Sequence, residues 1–152
     1  GVVERYRGVH LGIAVQTDRG LMVTVLKHAQ GGDLWHHAAE VSRLANAART
    51  AKISLEELTG STITITSLGA LGGIVSTPVI NAPEVAIIGV NKAVERPVVY
   101  GGAITIRRMM NLSSSFDHRF VDGYDAASMI QALRHLLEHP ATIFMTDEEV
   151  AR

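Results

Sequence analysis

The stretch Ser113-Ser114-Ser115-Phe116-Asp117-His118-Arg119-Phe120-Val121-Asp122-Gly123 closes a segment, rich in Ile, Thr, Met and Ser, that begins at Ala103. Branched and polar residues in partial alternation predict a half-buried strand from Ala103 to Phe116. Beyond Gly123 the period changes. Ala127, Ile130, Leu133, Leu136 and Leu137 recur at helical spacing, and Pro140 ends the run. The motif reads as strand, tight turn, helix, with His118 just past the strand end. Such a turn holds an imidazole at the mouth of a packed core, fixed by the backbone and still open to a substrate. Asp122 precedes Gly123, where it orients a catalytic group, pairs with Arg119 or caps the following helix.

Working outward, Gly8 to Gln16 and Leu21 to Leu26 read as two strands joined through Asp18-Arg19-Gly20, a hairpin signal. After Gly31-Gly32, Asp33 is an N-cap candidate. Leu34, Ala38, Val41, Ala45 and Ala48 then mark a long amphipathic helix. Ser54 followed by Glu57 is a capping-box pattern for a short helical turn ending near Gly60. Thr62 to Thr66 is β-branched, and Ser67 to Gly73 is a glycine-rich loop. Pro78 and Pro83 bracket an extended connection, Glu84 to Val90 reads as a buried strand, and Val98 to Tyr100 as a further edge. The expected fold is an α/β (α+β layered) domain over residues 1–152, a mixed sheet with helices packed on one face.

Composition narrows the function. Fourteen basic and fifteen acidic residues leave a formal charge of −1 with no block of like charge, so nucleic acid is not an expected partner. No apolar run approaches the roughly 18 residues of a membrane span, and the first residues have no signal-peptide character. The absence of cysteine excludes a disulfide framework, a thiolate zinc site and a cysteine nucleophile. It fits a reducing compartment, the cytoplasm or a mitochondrial matrix. His10, His28, His36, His37, His135 and His139 are scattered without ligand spacing, so no metal site is expected, and His36-His37 falls on a helix surface.

His118 is a candidate base, and with no cysteine in the chain any thiol it serves belongs to the substrate. A free imidazole with a pKa of about 6.5 lies roughly two units below a free thiol at about 8.5, a cost of about 2.7 kcal/mol. Coupling deprotonation to attack avoids a free thiolate, and a positioned base of this kind gives about 10²–10⁴-fold. Thr66 and Ser67, where a strand enters a glycine loop, are both placed to offer a hydroxyl to a developing oxyanion. The glycine loop itself is no dinucleotide or phosphate fingerprint, because Ile74, Val75 and Pro78 oppose the required helix and no Gly-Lys-Ser/Thr follows. No Gly-x-Ser-x-Gly elbow is present either.

Taken together, four blocks resemble the catalytic core of the dihydrolipoamide acyltransferases, the E2 components of 2-oxoacid dehydrogenase complexes. They are Gly12 to Thr17 with Gly20 to Val23, Leu58 to Gly69, Thr77 to Val90, and Ser115 to Gly123, in the family's order. The resemblance implies a chloramphenicol-acetyltransferase-like fold and homotrimers that assemble into a larger core, with active sites in channels between subunits. It further implies coenzyme A entering from one end and a lipoyl arm, supplied by another domain, from the other. On this resemblance His118 matches the general base and Asp122 the supporting aspartate. Thr66 matches the hydroxyl position, where the family usually carries serine, with Ser67 beside it. The implied activity moves an acyl group between dihydrolipoamide and coenzyme A, with pyruvate or branched-chain complexes favoured. A short uncharged acyl group is expected, lined by Ile74, Val75, Met109 and Met110. The family core also has an upstream arm and helices, and lipoyl and peripheral-subunit-binding domains through which E1 and E3 components attach. The chain is therefore expected to be the C-terminal majority of a catalytic domain. Two other readings share these motifs: an assembly scaffold inactive in this form, and a free-standing coenzyme A-dependent acyltransferase.

Overall fold

In the computed structural model, which describes residues 2–145, the expected hairpin forms from β1 (Leu11–Thr17) and β2 (Gly20–Leu26), with Leu11 opposite Leu26 and Thr17 opposite Gly20. Gly20 closes the turn at φ +108°, a conformation that L side chains rarely adopt, and its carbonyl accepts from Thr17 Oγ1 at 2.8 Å. Thr24, Val25 and Leu26 are buried in succession at the end of β2, and Val15 of β1 joins them in the core at 3% exposure.

Helix α1 (Leu34–Arg49) starts where Asp33 accepts the His36 N–H at 2.7 Å, and it packs on β1 and β2. Its inward stripe differs from the expected one. Leu44 and Ala48 are buried with His37 and Val41 partly covered above them, whereas Leu34 and Ala38 are exposed. The stripe is thus turned from the expected one, and His37 belongs to it. His36 stays on the surface as expected, but His37 does not: its Nδ1 is buried with no hydrogen-bond partner among the described residues. The capping box at Ser54 is formed. Glu57 accepts the Ser54 N–H at 2.9 Å and opens the 3-10 turn Glu56–Leu58.

Strands β3 (Ile63–Ser67) and β4 (Ala86–Val90) run parallel to one another, and β3 runs parallel to β1. With β7 (Leu112–Phe116) they make a five-stranded sheet in the order β2-β1-β3-β4-β7. Gly12 is what lets β1 lie against β3, because a Cβ there would sit 2.5 Å from Thr64 Oγ1. Thr64, 1% exposed, in turn donates to Glu84 Oε1 at 2.8 Å. The same carboxylate oxygen accepts from the Ser61 hydroxyl and from Asn81 Nδ2. A single buried acid therefore ties the start of β3 to the connection that leads into β4.

The expected strand Ala103 to Phe116 is two strands in two sheets. β5 (Val94–Tyr100) and β6 (Ala103–Met109) form a separate two-stranded ribbon, and the chain breaks at Met110-Asn111 before β7. The turn between β5 and β6 is Gly101-Gly102, with φ of +58° and +81°, the dihedral signs of a primed hairpin turn.

The chain divides into two compact units, one ending at Ser115 and the other beginning at Phe116. The second holds the tight turn that follows β7, helix α2 (Gly123–Glu138) and the 3-10 turn Pro140–Phe144. The strand, turn and helix expected around His118 are all present.

Candidate functional site

In the larger unit, the C-terminal end of β3 delivers Thr66 and Ser67 to the rim of a cavity of about 250 Å³. Val75, Ser76, Val90 and Asn91 also line it. The two hydroxyls are in different states. Ser67 is exposed, and its Oγ accepts the Gly69 N–H at 3.1 Å, which turns that oxygen into its own loop. Thr66 is half-buried, and its hydroxyl bonds to no described residue. Of the apolar residues expected to line an acyl site, Val75 borders this cavity. Ile74, Met109 and Met110 are exposed and lie outside this lining.

In the smaller unit, the turn after β7 is built on Asp117, whose carbonyl accepts the N–H groups of Phe120 and Val121, both at 3.0 Å. Its carboxylate grips Arg119 through the backbone N–H at 3.1 Å and the guanidinium at 2.6–3.1 Å. The guanidinium, aided by that N–H, holds Asp117 at about 2, well below the usual carboxylate range. Arg119 is thus paired with Asp117 and not with Asp122, one of the arrangements expected above. The pairing fixes the loop on both sides of His118 and leaves its exposed ring without a hydrogen bond to any described residue.

Asp122 is the N-cap of α2. Its Oδ1 accepts the Asp125 N–H at 2.9 Å, and its carbonyl accepts from Ala126 at 3.1 Å. This places His118 and Asp122 on one continuous turn, and Thr66 and Ser67 together on one cavity rim. Among the described residues no cluster of three or more His, Cys, Asp or Glu is arranged to hold a metal, and no helix is long and apolar enough to cross a membrane.

Sequence reasoning missed Ser76 and Asn91. Asn91 directly follows the buried strand Ala86–Val90 and is itself 7% exposed. A polar residue at the end of an apolar run was the available signal, since a buried amide must find partners.

Comparison with known proteins gives a consistent picture. The family model described as 2-oxoacid dehydrogenases acyltransferase (catalytic domain) matches residues 1–145. The lipoamide acyltransferase component of the branched-chain alpha-keto acid dehydrogenase complex of Pseudomonas aeruginosa is 69% identical over 144 residues, 95% of this chain and 34% of that protein. The succinyltransferase component of the 2-oxoglutarate dehydrogenase complex of the same organism is 39% identical over 135 residues, 89% of this chain and 33% of that protein. The chain thus spans about a third of the length of these curated relatives. Among solved structures, a dihydrolipoamide acetyltransferase of Azotobacter vinelandii superposes with a TM-score of 0.89 at 43% identity, covering 93% of this chain and 58% of that one. Its catalytic mechanism has been investigated at a serine, a histidine and an asparagine.

Proposed function

Because the chain belongs to the 2-oxoacid dehydrogenase acyltransferase catalytic-domain family, we propose that it carries out acyl transfer between the thiols of coenzyme A and dihydrolipoamide, with a branched-chain acyl group. The carrying observation is a spacing joined to a hydroxyl that bonds to no described residue. In the Azotobacter relative the histidine follows the serine by 52 positions and the asparagine follows the histidine by four. Here His118 follows Thr66 by 52 positions, and Asp122 follows His118 by four. Thr66 is also the residue of its pair whose hydroxyl is not turned into its own loop.

The steps follow from the chemistry of these groups. His118, neutral, takes the proton of the attacking thiol as its sulfur bonds to the thioester carbonyl carbon. The carbonyl π electrons move to oxygen, and the Thr66 hydroxyl donates to that oxyanion. When the tetrahedral adduct collapses, the other carbon–sulfur bond breaks and the departing thiolate takes the proton back from His118. No net proton or electron is gained, so one base serves both directions. Asp122 supports the turn by capping α2.

The branched-chain assignment rests on identity: 69% to the branched-chain component against 39% to the succinyl-transferring one. Assembly as trimers within a larger core, a lipoyl arm as the acyl carrier, partnership with E1 and E3 components and a cytoplasmic setting belong to the same reading. Replacing His118 with Ala in the intact protein is expected to lower kcat by about 10²–10⁴-fold while assembly, measured by sedimentation, is retained. Near-normal turnover would overturn the role of His118.

A further inference from the structure

Segment 72–78 has little regular structure, yet it is bonded to the sheet along its length. The Lys92 N–H donates to Gly73 O at 3.1 Å, Asn111 Nδ2 to Ile74 O at 2.9 Å, the Ser76 N–H to Ser113 Oγ at 3.1 Å, and Ser115 Oγ to Pro78 O at 2.6 Å. Asn91 sits under this strap and gives its amide hydrogens to Asn111 O and Ser113 Oγ, each at 2.9 Å. A backbone carbonyl can only accept, so the Asn91 amide has one orientation, and its support of the strap is fixed. An irregular segment pinned at this many points is a wall, and it lines the cavity that Thr66 borders.

Gly89 determines how close that wall comes. A Cβ on Gly89 would stand 2.8 Å from Ser76 Oγ and 3.5 Å from Ser113 Cβ, so the Ser76 side chain lies over Gly89 in the space a larger residue would fill. Gly89 is the register partner of Thr66 across the parallel β3–β4 pair. Side chains in register on neighbouring strands share a face of the sheet, and the strands are about 4.8 Å apart. Ser76 and Thr66 therefore stand side by side on one face, about one strand's width apart. The Ser76 hydroxyl, like that of Thr66, bonds to no described residue. At about 250 Å³ the cavity is smaller than the roughly 300–1,000 Å³ of sites that enclose a drug-sized ligand, which suits an acyl group rather than a whole coenzyme.

We propose that Ser76 is a specificity-determining residue of this cavity: held over Gly89 by its N–H bond to Ser113 Oγ, which Asn91 also engages, its small side chain keeps open the space beside Thr66 that a branched acyl chain occupies. This deepens the acyl-transfer reading given above and rests on it. A larger residue at 76 should exclude the branched acyl chain while leaving room for an acetyl group. A methylene gained or lost in such a pocket changes selectivity by about 10–200-fold.

The test uses the intact protein with dihydrolipoamide as acceptor and acetyl-, isobutyryl- and isovaleryl-coenzyme A as donors. Ser76→Leu is expected to lower kcat/KM for isovaleryl-coenzyme A at least about tenfold and for acetyl-coenzyme A less than about threefold. Ser76→Ala, which keeps the volume, is expected to leave the donor ranking unchanged. If Ser76→Leu does not fold, Ser76→Val carries the test, with an expected shift in the same ratio of at least about threefold. An active wild type whose variants lose all donors equally, or none, overturns the role of Ser76 and leaves the acyl-transfer reading standing. A wild type that transfers none of the three groups overturns both.

Discussion

Thr66 and Ser67 differ in what their hydroxyls already do, and that difference favours Thr66 in the proposed reading, where the sequence alone leaves the two neighbours equal. Ser67 Oγ accepts from Gly69 in the turn it helps to form, whereas Thr66 reaches the cavity from β3 with its hydroxyl bonded to no described residue. Loss of one oxyanion donor costs about 10²–10³-fold in kcat. Thr66→Ala is accordingly expected to lower kcat about 10²-fold, Thr66→Ser to retain most of it, and Ser67→Ala to stay within about threefold. Steady-state rates of the intact protein check this, and a larger loss from Ser67→Ala than from Thr66→Ala would move the assignment to Ser67. Other residue-scale features were only half legible. The role of Asp122 as a helix cap could be read from its place before Gly123, but the pairing of Arg119 with Asp117 could not. Both carboxylates lie within three residues of that arginine, and the choice depends on how the turn folds.

At the scale of elements, local patterns were legible and patterns that needed a partner were not. The Ser54–Glu57 capping box, the β1–β2 hairpin and the strand–turn–helix around His118 are each encoded by residues that follow one another directly in the chain. The split of Ala103 to Phe116 was missed because its break, Met110-Asn111, lacks glycine and proline, although Gly101-Gly102 offered a hairpin signal upstream. The strap over the cavity was out of reach for another reason: Ser76 and Pro78 bond to Ser113 and Ser115, 37 residues away. Glu84 is a similar long-range feature, and it carries a stability prediction. Three side chains donate to its Oε1, while its Oε2 is buried without a partner among the described residues. Glu84→Ala strands the donors of Ser61, Thr64 and Asn81 and is expected to cost about 3 kcal/mol or more, since each buried unsatisfied group costs about 1–3 kcal/mol. Glu84→Gln keeps an acceptor oxygen for them and is expected to cost less than about 1 kcal/mol. Denaturant unfolding separates the two, and equal losses would mean that the carboxylate charge, not the acceptor, holds β3 and β4 together.

For the molecule as a whole, the perturbed groups predict how stability responds to acid. His10 lies beside His28, their rings 4.6 Å apart, and its Nδ1 accepts the His28 N–H at 3.1 Å. Burial, reinforced by His28 and Lys27, lowers its pKa from the ordinary 6.5. The folded state therefore binds less proton at His10 than the unfolded state does. The resulting stability is complete above about 6.5 and is lost as pH falls below it toward the folded value. Glu57 acts lower on the scale. The Ser54 N–H and then the Arg43 guanidinium bring it from 4.5 to about 2, so its contribution holds above about 4.5 and is lost as pH falls from there through about 2. Solvent screens this surface network of Arg43 with Glu40 and Glu57, and about 0.5–1 kcal/mol is the expected size of its effect. The melting temperature of the intact protein should thus descend in two steps, one below about pH 6.5 and one below about pH 4.5. His10→Asn, whose side-chain oxygen still accepts the His28 N–H but does not titrate, is expected to flatten the upper step and spare the lower. Glu57→Gln is expected to reduce the lower step, to which Asp117 also contributes, and to spare the upper. Melts recorded from pH 8 to pH 3 at constant ionic strength check both variants, and an upper step that survives His10→Asn unchanged would place its origin elsewhere in the molecule.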